Sequence, residues 1–113
     1  MRLGIALEDQ KGLQSNVVER FKLCEYFFLL DIDDNKIKQS RIVANMALHC
    51  RGECVVADEL LKYRVTHVIT GKMGSDAKAK FAQESVEVFD YSGKAKDVID
   101  SFLTNKVSGI ERL

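Results

Sequence analysis

The sequence predicts one α/β domain in which helices cover both faces of a five-stranded mixed sheet, giving three layers in the order α/β/α. Three observations predict this fold. The chain has 113 residues, the size of a single domain with its own core. Its first half contains three successive strand-like runs. Its second half alternates helical and strand-like runs, as parallel right-handed crossovers do.

The first three main elements are predicted to be strands that form a meander. Residues 2–7 place large apolar side chains on one face and small residues on the other, where a helix or a ligand can come close. Residues 26–32 form a continuous aromatic and aliphatic run, so both faces of this strand should be buried. After an acidic turn, residues 37–43 pair back as an edge strand. Residues 16–21 are predicted to form one or two helical turns.

The second half is predicted to alternate helix and strand. Apolar residues at helical spacing mark three helices, at residues 53–64, 75–84 and 94–103. Short apolar runs mark two strands, at residues 65–70 and 86–89. Ser75 is a suitable N-cap for the second helix, and the polar tail from Thr104 is expected to be frayed. The first strand should be central, between the hairpin and the strand at residues 65–70.

The charge and hydropathy of the chain exclude several classes of function. Lysine and arginine number 17, and aspartate and glutamate also number 17, so the formal net charge is zero. A neutral domain lacks the field that draws a protein to nucleic acid or to an anionic membrane. No apolar run approaches the ~20 residues of a membrane helix, and acids at positions 8 and 9 argue against a signal peptide. We therefore expect a cytoplasmic protein without nucleic-acid or membrane partners.

The stretch from His49 to Cys54 contains three soft metal ligands within six residues. Thiolate and imidazole suit zinc, copper or iron–sulfur species, and Gly52 would let His49, Cys50 and Cys54 converge on one ion or cluster. Three residues separate the two cysteines, so this is not a Cys-x-x-Cys redox motif. A fourth ligand would have to come from afar, with Cys24 and His67 as candidates. The alternative is that these cysteines are packing residues at the start of a helix.

Gly71-Lys72-Met73-Gly74-Ser75 joins a predicted strand to a predicted helix. Two glycines allow a tight turn, and the first amides of the helix point outward without intrahelical partners, so the turn is a candidate anion site. It is neither a Walker loop nor Gly-x-Gly-x-x-Gly, and an empty turn is the alternative. In such sheets ligands bind at the carboxyl ends of the parallel strands. We therefore expect Cys50 and Cys54 to lie on the same edge as this turn. A small hydrolase is disfavoured because the sequence presents no nucleophile–base set.

The order and spacing of motifs along nearly the whole chain follow a known pattern. The matching pieces are the opening strand Arg2–Leu7, Ser15 to Phe28 with Phe21, the Asp31 hairpin, Asn45, the helix with Ala57, Leu60 and Leu61, residues 65–77 as strand-Gly-x-x-Gly-x-x-Ala, the Val86 strand and the Lys94 helix. The sequence thereby resembles the dinitrogenase iron-molybdenum cofactor-binding proteins, small stand-alone domains related to nitrogenase accessory carriers and to orange molybdenum–copper proteins. The resemblance implies a ribonuclease-H-like α/β/α fold. It also implies binding or carriage of a cluster rather than catalysis.

One departure from the family concerns a potential ligand. Where the family commonly has His-Phe-Gly, this chain has Arg20-Phe21-Lys22. An alternative site could be supplied by Cys24, His49, Cys50 and Cys54. We therefore expect a non-enzymatic carrier of a metal–sulfur cluster, either the iron-molybdenum cofactor or a related iron–sulfur species, with an acceptor protein as partner. Cysteine and histidine would hold the metal, and the Gly71, Lys72, Gly74 and Ser75 turn would meet its negative charge. The alternative is a metal-free regulatory module that binds a small anion or a protein.

Overall fold

The predicted order of strands and helices is present in the computed structural model, which describes residues 1–47, 52–103 and, for the backbone, 110–112. One strand is added at the end of the chain, where the sequence analysis expects a frayed tail. The elements are β1 (Arg2–Leu7), β2 (Tyr26–Asp33), β3 (Lys36–Ala44), α1 (Glu53–Leu61), β4 (His67–Thr70), α2 (Ser75–Gln83), β5 (Glu87–Tyr91), α3 (Ala95–Leu103) and β6 (Ile110–Arg112).

The sheet is mixed, and β1 lies near its centre as predicted. The strand order is β3-β2-β1-β4-β5-β6. β1 pairs antiparallel with β2, with Leu7 opposite Tyr26, and parallel with β4, with Gly4 opposite Val68. β4 and β5 are parallel, whereas the short β6 adds antiparallel to β5. The sheet therefore contains the five predicted strands and a sixth.

Helices cover both faces of the sheet, which confirms the three-layer arrangement. On one face Phe27, Val68 and Val88 pack in one cluster with Leu60 of α1 and Phe81 of α2. On the other face, side chains from β1, β2 and β4 pack with α3; they include Leu3, Ile5, Leu30, Ile69, Val98 and Ile99. Alternation along each strand assigns the side chains to these two cores. No helix in the described part of the chain is long and apolar enough to cross a membrane.

The segment at residues 16–21 is extended, so the prediction of helical turns there is wrong. Val17 pairs antiparallel with Leu7, and Arg20 pairs parallel with Lys72. Only Phe21–Leu23 forms a short 3₁₀ turn, with the Phe21 side chain fully buried. The reason is that the backbone groups of this segment bond to distant strands and loops instead of to one another. The segment consequently crosses the end of the sheet at which the parallel strands finish.

Candidate functional site

The loops that the sequence predicts to form a ligand site lie together at the carboxyl ends of the parallel strands. β1 ends at Leu7, β4 at Thr70 and β5 at Tyr91, all at one edge of the sheet. In the antiparallel strands, Tyr26 at the start of β2 lies opposite Ala44 at the end of β3, at this same edge. The chain that enters α1 therefore starts from this edge. Such an edge is where ligands bind in open α/β sheets.

Gly71 is required by a close approach of two backbones. Its amide donates to the Val18 carbonyl over 2.9 Å, and the Lys72 amide donates to the Glu19 carbonyl over 2.7 Å. A Cβ atom on Gly71 would lie 2.2 Å from the Glu19 carbonyl oxygen and 2.3 Å from that of Val18. The two amides are therefore already used by the protein, so an anion bound here would be met by side chains.

Gly74 lies at the N-cap of α2, where the sequence analysis expects Ser75. Its backbone has φ −74° and ψ 165°, a conformation open to any residue. Its amide donates to the carboxylate of Glu53, the first residue of α1. A negative charge at the start of a helix is favourable, and here the protein supplies that charge itself. The contact also brings the first turn of α1 against the turn at residues 71–75.

Cys54 lies on this edge, because it follows Glu53 in the first turn of α1. Its side chain is half-buried, and the thiol is free. Nearby, the Lys80 ammonium group donates to the Asp58 carboxylate over 2.8 Å, which raises the pKa of Lys80, and Cys54 adds a smaller effect in the same direction. His49 and Cys50 lie outside the described residues. Cys50 and Cys54 were both predicted to lie beside the glycine turn, and of these two the structure describes Cys54 alone.

Cys24 is in the core and not at the surface of the edge. Its side chain has no exposed area, and its Sγ donates to the Tyr26 carbonyl over 2.9 Å. Burial raises the pKa of the Cys24 thiol to about 12. Because the thiolate is the metal-binding form, Cys24 is poorly suited to be a ligand. His67 stands at the opposite end of β4, where its ring lies 3.1 Å from the Glu87 carboxylate.

A cavity of about 420 Å³ opens on the β5 side of the same edge. Its lining comes from the extended segment, the glycine turn and the end of β5, and comprises Val17, Glu19, Arg20, Gly71, Lys72, Asp90, Tyr91 and Ser92. Only Gly71 and Lys72 were among the predicted site residues. Arg20 could have been found, because it stands at the position of the family histidine. Asp90, Tyr91 and Ser92 were not named individually, but they directly follow the strand predicted to end at Phe89, and the loop after that strand is expected at this edge.

The described residues do not form a complete metal centre. Among residues 1–47 and 52–103, no group of three or more histidine, cysteine, aspartate or glutamate side chains is arranged to hold a metal ion. Cys54, Ser75 and Lys72 share the edge, whereas Cys24 is separated from it by burial. A metal species bound here would therefore need either ligands from residues 48–51 or a ligand shell of its own.

Solved structures of other proteins have the same fold. PH0822 is 27% identical, with a TM-score of 0.84 over 94% of this chain and 93% of that one. The apo form of the orange protein from Desulfovibrio gigas is 19% identical, with a TM-score of 0.82 over 99% and 92%. A Thermotoga protein of the DUF35 family is 24% identical, with a TM-score of 0.78 over 99% and 92%.

The family assignment rests on the sequence as well as on the fold. No significant match is found among curated proteins. The family model described as dinitrogenase iron-molybdenum cofactor, however, matches residues 1–105, which include every described strand and helix except β6. The match confirms the resemblance drawn from the motifs. This chain belongs to the dinitrogenase iron-molybdenum cofactor family.

Proposed function

We propose that this domain binds and carries a metal–sulfur cluster at the carboxyl edge of its sheet, without catalysing a reaction. The cargo would be the iron-molybdenum cofactor or a related iron–sulfur species. Family membership and the fold shared with the orange protein support this proposal. The single observation that carries it is the hydrogen bond from Gly74 to Glu53, because it places the thiol-bearing turn of α1 beside the glycine turn.

The metal would be held by Cys54 together with His49 and Cys50, which precede α1 in the sequence. Cysteine sulfur and neutral imidazole are the ligands that such clusters prefer. The Gly74 amide is already taken by Glu53, so at the start of α2 the negative charge of a cluster would be met by the hydroxyl group of the exposed Ser75. Lys72 adds a positive charge from the same turn. Cys24 is excluded from this proposed set by its burial.

A carrier has to release its cargo, so an acceptor protein is the expected partner. Cys54 is half-buried and lies in the first turn of a helix at the surface. A cluster bound there would remain accessible from the outside. This arrangement suits transfer to a second protein better than permanent enclosure, in which second-shell groups and burial stabilise a resident cofactor.

The test is anaerobic reconstitution of the full chain with iron and sulfide, with and without molybdate, followed by metal analysis and visible absorption. We expect bound metal and visible bands in the parent protein. The double variant Cys50→Ser, Cys54→Ser should lose at least about 90% of the bound metal, because the soft ligands are gone. The single variant Cys24→Ser is the matched control and should keep its metal. Equal metal content in the double variant and the parent would overturn the proposal.

A further inference from the structure

We propose that the cavity between the extended segment and the end of β5 is a separate site for a small organic oxyanion that also carries hydroxyl groups. Its volume of about 420 Å³ falls within the range of ~300–1,000 Å³ that is typical of small-molecule sites. Among the residues that the structure describes, none that lines the cavity is a cysteine or a histidine. The cavity is therefore suited to recognition by charge and hydrogen bonds rather than by coordination of a metal.

Two cationic residues, paired through their backbones, line this cavity. Arg20 and Lys72 are directly paired in a parallel bridge, and both line the cavity. Within residues 1–47 and 52–103, neither side chain forms an ion pair. Like charges placed directly opposite each other repel, and an anion between them removes this repulsion. A guanidinium also presents a planar fork that binds carboxylate or phosphate through two hydrogen bonds.

The carboxylates in the lining restrict which anion can bind. Asp90 lies at the end of β5, and Glu19 precedes Arg20 in the extended segment. A carboxylate only accepts hydrogen bonds and repels a bare polyanion, whereas it binds a hydroxyl group that donates to it. Tyr91 and Ser92 add hydroxyl groups of their own. The ligand is therefore expected to be an anion at one end, facing Arg20 and Lys72, and a hydroxyl donor at the other, facing Asp90.

This anion site is distinct from the proposed cluster site. The cavity is on the β5 side of the glycine turn, whereas Cys54 lies on the α1 side, and Lys72 is the residue that both proposals use. The inference does not depend on metal, so it is tested on the metal-free full chain. Failure of cluster reconstitution and failure of anion binding are consequently separate results.

The experiment follows amide chemical shifts of labelled metal-free protein during titration with four probes: glycerol 3-phosphate, glycerate, inorganic phosphate and neutral glycerol. Total ionic strength is kept constant with sodium chloride, because exposed charge pairs are screened by salt. We expect saturable shifts at the amides around Arg20, Lys72 and Ser92 with the hydroxylated anions. Phosphate should bind more weakly and glycerol not at all. The comparison of glycerol 3-phosphate with glycerate identifies the anionic group.

Variants locate the binding and test its specificity. Arg20→Gln and Lys72→Gln should each weaken binding about tenfold, as loss of a charge-assisted hydrogen bond does. Lys78 is an exposed residue of α2. The variant Lys78→Gln is therefore the matched control, and it should bind the anions as the parent protein does. Asp90→Asn should reduce the preference for glycerol 3-phosphate over phosphate. The proposal is overturned if no probe gives saturable shifts, or if Lys78→Gln weakens binding as much as Arg20→Gln.

Discussion

The carboxylate of Glu53, at the start of α1, accepts a hydrogen bond from the backbone amide of Gly74, at the start of α2. The two helices lie on the same face of the sheet, and this contact fixes the spacing of their first turns. Glu53 thereby occupies the place that an external anion would take at the start of α2. Any ligand of the glycine turn must approach beside this carboxylate.

The two glycines of the turn should respond differently to the same substitution. Gly71→Ser puts a Cβ atom 2.2 Å from a backbone oxygen, so the chain must shift, and we expect a loss of about 3 kcal/mol or more. Gly74→Ser meets only the flexible end of Glu53, and serine is a good N-cap, so the change should stay within about 1 kcal/mol. Urea unfolding followed by circular dichroism measures both variants. Similar losses would contradict the structural role assigned to Gly71.

The two described thiols should differ in reactivity. Cys24 is buried, with its pKa raised to about 12, whereas Cys54 is partly exposed. In a Cys50→Ser variant at pH 8, we expect one thiol per chain to react rapidly with a disulfide reagent. The second thiol should react only after unfolding, because the thiolate is the reactive form and Cys24 keeps its proton. The control is the Cys50→Ser, Cys54→Ser variant, in which no rapid reaction should be seen. Two fast thiols in the first variant would place Cys24 at the surface.

Acid should weaken the fold through two aspartates. The Ser15 hydroxyl donates to Asp9, and the Arg2 guanidinium donates to Asp31; these contacts lower the pKa of each carboxyl. Their contribution to stability is complete above the unfolded pKa of about 3.9 and is lost as the pH falls through the lower folded values. Unfolding free energy measured from pH 6 to pH 2 should therefore decline below about pH 4.

Replacing each aspartate by the neutral asparagine tests whether Asp9 and Asp31 cause the loss of stability in acid. Asp31→Asn and Asp9→Asn should each flatten the acid limb of the stability profile, because one titrating group that favours the folded state is removed. Asp34→Asn, in the exposed hairpin turn, is the control and should leave the profile unchanged. If the limb keeps its slope in the Asp9→Asn, Asp31→Asn double variant, other carboxylates must cause the acid sensitivity.

Thr70 has a buried hydroxyl group that we expect to lower the stability of the fold. The side chain is fully buried, and its Oγ1 atom has no hydrogen-bond partner among the described residues. Thr70→Val keeps the shape and removes the unpaired group, so the unfolding free energy should rise by about 1 kcal/mol. Thr66→Val is the matched control, since the Thr66 hydroxyl bonds to both backbone groups of Arg2. We expect Thr66→Val to be destabilised. If Thr66→Val were instead stabilised and Thr70→Val destabilised, the Thr66 hydroxyl would be the unpaired one and the Thr70 hydroxyl the paired one.

Hydrophobic periodicity was sufficient to predict five of the six described strands and the three described helices. The strands β1 and β2 and the helix α3 have apolar patterns that local geometry converts directly into buried faces. Residues 16–21 were misassigned because their hydrogen bonds go to Ala6, Gly71 and Gly93, and such pairings leave no periodic signal. The same reason applies to Gly71, whose role is set by the carbonyl groups of Val18 and Glu19. β6 has only three residues, which is too short for a pattern.

The extended segment also determines when the carboxyl edge can be completed during synthesis. Val18 donates to Ala6 and accepts from Gly71, while Val17 donates to Gly93 and Ser15 accepts from Ala95. These bonds join stretches that leave the ribosome far apart in time, and such non-local pairings form late. A nascent chain that lacks residues 93–95 cannot close this edge. For the proposed cluster carriage, we therefore expect this edge to become available for binding only after residues 93–95 have been synthesised.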